Sequence, residues 1–310
     1  MPELPDLEYL VKHLRPGLVG RRILSVSIHE PIVLRVLLPG AFAELLVGDE
    51  FETVERHGPF LRFGLRLAAG QSPALGFEQA PTQGEKRYDL VMHLMLAGRL
   101  RLARSNEKRL AHEAFSLALD DGSSLAYGDE KCMGKVYLCE AGRFESIPGY
   151  LSQGLDVRGP DFDYAAFSRL IAKKRCQVRV FIMDQSALSA IGNAYADEVL
   201  FEAGLHPKTL CSSLAEADKK KLFDSIVKVL AWGIEEVERA GKPLEEKVRG
   251  HMRVRNRAGQ ACPICGTTIR KAGVLGFDSF FCPRCQKDRS GRGLDWNKLP
   301  PANENQKGES

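Results

Sequence analysis

Residues 262–285 read Cys262-Pro263-Ile264-Cys265, then 16 residues, then Cys282-Pro283-Arg284-Cys285. Each CxxC pair suits a tight turn that aims two thiolates at one ion, and two pairs complete a tetrahedral all-sulfur set. Structural zinc is the expected metal. All four positions are sulfur, which leaves none open for water or substrate. So small a hairpin has almost no core, and the metal must supply its folding free energy. The other four cysteines, Cys132, Cys139, Cys176 and Cys211, show no ligand spacing and are expected to pack.

On either side of the hairpin the pattern changes. Before it, apolar residues recur with helical period over 163–173, 187–203, 215–239 and 243–250. After it, from Asp288, the chain is polar, contains Pro300-Pro301, and is expected to be disordered. Residues 239–310 carry 15 Lys/Arg against 7 Asp/Glu, a balance of +8, while residues 1–238 balance at −4. A basic end on a near-neutral body points to a polyanion, most often nucleic acid.

The amino-terminal half opens with a helix over Pro5–Leu14. Leu7, Leu10, Val11 and Leu14 share one face, Pro5 suits the first turn, and Gly17 is placed to end it. The period then becomes two: Leu61-Arg62-Phe63-Gly64-Leu65-Arg66-Leu67 alternates strictly, as a half-buried strand does. Further strands are expected at 22–28, 89–96, 114–119, 124–127 and 135–139, and a loop at 70–87. Pro148-Gly149 and Gly159-Pro160 mark a linker. The fold class is α+β with two domains: a β-sandwich with a leading helix, then a helical domain bearing the four-cysteine hairpin. The expected limits are 1–145, a linker at 146–162, 163–256, the finger at 257–287, and a tail at 288–310.

Composition narrows the function classes. The 310 residues are 44% hydrophobic and 27% charged, with eight cysteines. That excludes collagen-like, fully disordered and disulfide-scaffold classes. No run approaches the roughly 18 apolar residues of a membrane span. Glu3, Asp6 and Glu8 break any signal-peptide pattern, so a cytoplasmic location is expected; no membrane partner and a monomeric state are expected as well.

Three motifs in order resemble the formamidopyrimidine-DNA glycosylase family. They are Met1-Pro2-Glu3-Leu4-Pro5-Asp6, then Met183-Asp184-Gln185 through Ile191-Gly192-Asn193-Ala194-Tyr195-Ala196-Asp197-Glu198 to Gly204-Leu205-His206-Pro207, then the four-cysteine hairpin ending Gln286-Lys287. The resemblance implies a helix–two-turns–helix domain, damaged double-stranded DNA as partner, and base excision with abasic-site lyase activity. It makes Pro2 the nucleophile once Met1 is removed, and an α-amino group titrating near 8 is partly neutral at cellular pH. Glu3 is the expected general acid. Asp6 stands where the family has Glu. Asn193, with Lys174 and Arg175, is expected on backbone phosphates.

The sequence departs from the family at several of its working positions. The hairpin lysine is replaced by Pro59, with His57 and Arg62 as the nearest stand-ins. The finger arginine is replaced by Phe277, with Arg270 and Lys271 on the opposite strand. Leu96 and Met133 stand at the positions that wedge into the duplex, and Lys131 replaces the arginine facing the orphan base. Altered activity or lesion range is therefore expected. The alternative is a lyase-only or non-catalytic homologue that binds damaged DNA.

Overall fold

Helix α1 runs Leu4–Leu18, with Leu4, Leu7, Leu10, Val11, Leu14 and Leu18 buried along one stripe. A capping box starts it: the Glu3 N–H donates to Asp6 Oδ2 at 2.8 Å, and the Glu3 side chain accepts from the Asp6 N–H. The helix does not stop at Gly17 as expected. A Cβ at Gly17 would lie 2.5 Å from Leu102 Cδ2, so this glycine serves close packing rather than termination.

A computed structural model describes residues 1–67, 86–104 and 107–288. Most of the expected 70–87 loop and the tail from 289 lie outside the described residues. The contacts divide the chain into two units, 1–153 with 234–248, and 154–233 with 249–310.

In the first unit the strands are β1 (Ile23–Ile28), β2 (Leu34–Val36), β3 (Asp49–His57), β4 (Phe60–Leu67), β5 (Lys86–His93), β6 (Arg99–Arg104), β7 (Glu113–Leu119), β8 (Ser123–Gly128) and β9 (Lys135–Glu140). A short helix, α2 (Phe42–Leu46), precedes β3. One sheet has the order β2-β9-β5-β4-β3 and the other β1-β7-β8-β6; every pairing is antiparallel except β2 with β9. β3 and β4 pair His57 with Phe60, leaving Gly58-Pro59 as a two-residue turn with Gly58 at φ 53. Part of the expected linker is core: Ile147 and Tyr150 are buried with Phe60, Val91, Tyr137 and Cys139.

The second unit contains α3 (Tyr164–Ala172), α4 (Val178–Met183), α5 (Asn193–Ala203), most of α6 (Glu216–Ala240) and the hairpin β10 (Arg270–Val274) with β11 (Phe277–Phe281). The helical period expected over 187–203 breaks in two. Residues 187–192 are a buried turn whose apolar side chains imitate a helix face, and α5 starts only after Gly192. The helix expected over 243–250 is absent; that stretch is turns following Pro243. Instead the segment returns to the first unit, where the Tyr9 hydroxyl donates to the Lys242 carbonyl at 2.8 Å.

Candidate active site and metal centre

Pro2 is buried at the head of α1, and the capping box fixes the two carboxylates behind it. Asp6 is thereby committed to the Glu3 N–H, a positioning contact. Pro2, Asp6, Tyr9, Leu94, Gly98, Arg99, Leu244 and Lys247 are among the residues lining a cavity of ≈ 20 Å³. That is room for about one water.

Two turns of the first unit carry Leu96, Lys131 and Met133. In the first, after β5, Met95 takes a left-handed φ of 47 and its N–H donates to His93 Nδ1 at 3.1 Å. The turn closes at Gly98, where a Cβ would stand 2.5 Å from the Leu94 carbonyl oxygen. Leu96 is left 51% exposed, and its carbonyl accepts from Lys247 Nζ at 3.0 Å. The second turn follows β8. Buried Asp129 accepts from the Tyr127 hydroxyl at 3.1 Å, the Lys131 N–H at 3.1 Å and the Gly134 N–H at 2.7 Å. This presents Lys131 and Met133 outward, Met133 at 38% exposure. A side chain at Gly134 would collide with the Tyr127 hydroxyl at 1.7 Å.

Burial holds the His93 imidazole at about 4, reinforced by the amino-terminal charge. A histidine depressed below its unfolded value of about 6.5 costs nothing above that pH, and stability falls as pH drops from about 6.5 toward 4. Urea titrations at pH 7 and pH 5 should show this loss in the wild type and much less of it in His93→Gln. Equal losses would assign the acid sensitivity elsewhere.

Neither stand-in near Pro59 is available. His57 Nε2 donates to the Tyr150 carbonyl at 2.8 Å, and its ring stacks on Tyr150 at 4.3 Å. Arg62 is bidentate to Asp89, at 2.8 and 3.1 Å. Pro59 itself is buried.

In the second unit, Asn193 is the first residue of α5, and its Oδ1 accepts from Arg179 Nη2 at 2.7 Å. The donating half of the amide, Nδ2, is thus turned away from Arg179. Arg179 is buried, and its Nε donates to Asp197 Oδ1 at 3.1 Å. Arg179 and Arg255 both donate to the Asp278 carbonyl, at 3.0 and 2.9 Å, and Ser279 Oγ donates to Asp197 at 2.7 Å. One buried network therefore ties the turn before α5 to the hairpin. Removing one partner of such a pair strands the other, so Arg179→Met should cost on the order of 3 kcal/mol. The check is urea unfolding followed by tryptophan fluorescence, Trp232 lying in this unit; an unchanged midpoint would show the network to be energetically idle.

Lys174 is paired with Asp184 at 2.7 Å, while Arg175 is exposed. Arg270 pairs with Phe281 at the base of the hairpin, four residue pairs from the tip at Val274–Phe277. That is roughly 13 Å along a strand, so Arg270 does not stand in for an arginine at 277. Lys271 pairs with Asp278 at 3.3 Å. The tip carries Leu275 and Phe277, 73% and 52% exposed.

The four thiols of Cys262, Cys265, Cys282 and Cys285 converge, with all Sγ atoms within 4.8 Å of one another and three pairs at 3.5–3.9 Å. A tetrahedron with metal–sulfur arms of about 2.3 Å has edges of about 3.8 Å, so the set fits zinc. Phe201, Val254, Ile269 and Phe280 pack around it.

The comparisons with known proteins cover the same three regions. Residues 1–136 match the formamidopyrimidine-DNA glycosylase N-terminal domain, 154–242 the H2TH domain of that enzyme, and 259–287 the zinc finger found in FPG and IleRS. The Symbiobacterium thermophilum formamidopyrimidine-DNA glycosylase is 32% identical over 97% of this chain and 94% of its own. This chain belongs to the formamidopyrimidine-DNA glycosylase family. The family enzyme of Heliobacterium modesticaldum is 31% identical over 93% of this chain and 100% of its own. Among solved structures, the complex of Lactococcus lactis Fpg with DNA containing an abasic site aligns with a TM-score of 0.77 at 25% identity, covering 92% of this chain and 100% of that one. A complex of the same enzyme with DNA containing an oxidized pyrimidine aligns equally well at 26% identity, covering 93% and 100%.

Membership in the formamidopyrimidine-DNA glycosylase family makes the four-cysteine cluster a structural zinc finger. Because the finger shares Phe201 with α5 and Asp278 with the arginine network, chelation should loosen the carboxyl-terminal half of the second unit along with the hairpin. Hydrogen exchange should report faster exchange over 254–287 and around 197–205, with the sheets unchanged; exchange confined to the hairpin would contradict the shared core. Three residues that contact the expected site positions were missed by sequence reasoning. Arg179 is the lone charge within the apolar run Val178–Met183, which was its signal. Asp129 forms an Asx turn after a strand, also legible. Lys247 had no signal, because only folding brings it to the Pro2 cavity.

Proposed function

We propose that the chain is a base-excision DNA glycosylase and abasic-site lyase acting on damaged double-stranded DNA in the cytoplasm, as a monomer. The observation that carries this is the buried Pro2 at the head of α1, next to Glu3 and Asp6, which the capping box holds together. Once Met1 is gone, the Pro2 amine attacks C1′ of a flipped-out nucleotide, the C1′–N bond breaks, and an iminium forms. Glu3 gives a proton to the sugar ring oxygen as the base departs. Asp6 holds the Glu3 backbone, and so the direction of its carboxyl, through the capping box. The iminium acidifies the 2′ proton, and β- then δ-elimination cut the strand.

Asn193 Nδ2, Lys174 and Arg175 serve backbone phosphates, and Arg270 adds charge at the finger. Leu96 and Met133 are apolar wedges on two turns of the first unit, and Lys131 faces the orphan base without an arginine's planar fork. Pro59 favours a second reading, a lyase or binder that has lost base excision. Borohydride trapping on abasic duplex DNA tests the Pro2 chemistry: a covalent adduct supports a lyase and tight binding without one supports the non-catalytic reading, while release of a damaged base from lesion-containing duplex separates the glycosylase from a lyase-only homologue.

A further inference from the structure

Cys176 and Cys211 belong neither to the zinc set nor to the proposed catalytic groups. The segment leading into α4 and the segment beyond α5 run antiparallel there. Gln177 bridges Leu210, the Val178 N–H donates to the Thr209 carbonyl at 2.8 Å, and the Cys211 N–H donates to the Cys176 carbonyl at 3.0 Å. That register sets Cys176 directly opposite Cys211. Residues so placed have Cα atoms about 5.5 Å apart and side chains on one face. A disulfide needs a Cα separation of about 4.4–6.8 Å. The two thiols are near enough for Cys176 to act on the Cys211 thiol. Cys176 is half-buried, and Cys211 is 1% exposed. Burial and the neighbouring Cys176 thiol push the Cys211 thiol up to about 12, so Cys176 is the group that an oxidant meets first.

We propose that Cys176 and Cys211 are a dithiol that hydrogen peroxide converts reversibly to an intramolecular disulfide. The Cys176 thiolate attacks one peroxide oxygen, the O–O bond breaks, and sulfenic acid forms as hydroxide leaves and takes up a proton to become water. The Cys211 sulfur then attacks the sulfenic sulfur. The S–S bond forms, and the Cys211 proton leaves with the sulfenic hydroxyl as a second water. Two thiols are oxidised and one peroxide is reduced to two waters. A dithiol reductant reverses the reaction by exchange. The bond closes a loop of roughly 35 residues that holds α4, the buried turn and Asn193, so oxidation restrains the segment bearing one of the proposed phosphate contacts.

The test uses the full zinc-loaded chain. It is exposed to hydrogen peroxide, its remaining thiols are alkylated, and it is digested without reductant for mass spectrometry. The expected product joins the Cys176 and Cys211 peptides, two hydrogens lighter than their sum, and disappears on treatment with dithiothreitol. Cys211→Ala should instead accumulate a dimedone-reactive sulfenic acid on Cys176. Should that variant not fold, the wild-type map decides alone. Separate alkylation of both cysteines at doses that oxidise other thiols, or cross-linking of either to a zinc cysteine, overturns the proposal.

Discussion

A chain that retains Met1 forms no borohydride-trapped adduct on abasic DNA, and the processed chain does; this is the largest effect expected of any single change. With Met1 attached, the Pro2 nitrogen is an amide whose lone pair is delocalised into the carbonyl, so it has no nucleophilic electrons and no proton to lose. With Met1 removed it is a secondary amine that titrates near 8, against about 10.4 for lysine, and is partly neutral in the cell without help from its surroundings. Pro2→Gly keeps a terminal amine but loses the ring that packs at the head of α1, so trapping should fall sharply without vanishing. The measurement is adduct formation by processed protein, by protein with a blocked amino terminus, and by Pro2→Gly, on one abasic duplex at one salt concentration. Equal trapping by the blocked form would remove Pro2 from the mechanism and move the search to lysines, Lys247 first.

Excision of 8-oxoguanine opposite cytosine should lag cleavage of a preformed abasic site by about 10²–10⁴-fold, the usual contribution of one positioned acid–base group. The family resemblance places an amine at position 59, and the structure places there a buried proline in a two-residue turn. His57 is stacked on Tyr150 and bonded to its carbonyl, and Arg62 is clamped by Asp89, so neither of these two takes over. Base departure suffers most from the loss, while the lyase step needs mainly the Pro2 amine. Pro59→Lys alone should restore little, because its stem would have to leave a buried turn. Its neighbour Gly58 is equally confined, a Cβ there lying 2.6 Å from Gln153 Oε1. Single-turnover rates on the two substrates decide the matter; matched rates would show that position 59 does not govern excision in this chain.

What the sequence made legible was whatever a period or a spacing can carry. Helix α1, helix α6, strand β4 and the four zinc thiols all announce themselves through local repetition. Strand β3 does not, because a bulge between Phe51 and Thr53 shifts its register and leaves buried Phe51 and Val54 three residues apart. Helix α4 spans only Val178–Met183, too short for a period to declare itself. Strand β6 was readable, since Arg99-Leu100-Arg101-Leu102 alternates as clearly as β4 does. Of the site, residue identities were legible and partnerships were not. That Asn193 leans on Arg179, or that Arg62 is spent on Asp89, depends on pairings between distant positions.

The segment 234–248 gives the first unit a late-arriving part. Tyr9, Leu96 and Arg101 wait for Lys242, Lys247 and Glu245, and the Pro2 cavity takes Val237 and Leu244 as walls. A ribosome that has finished residue 153 has made every strand of both sheets, yet the nucleophile's surroundings stay open for roughly another 95 residues, about 5–20 s of translation. The proposed chemistry requires that Met1 be removed, and this interval, before Val237, Leu244 and Lys247 arrive, is when the amino terminus is least enclosed.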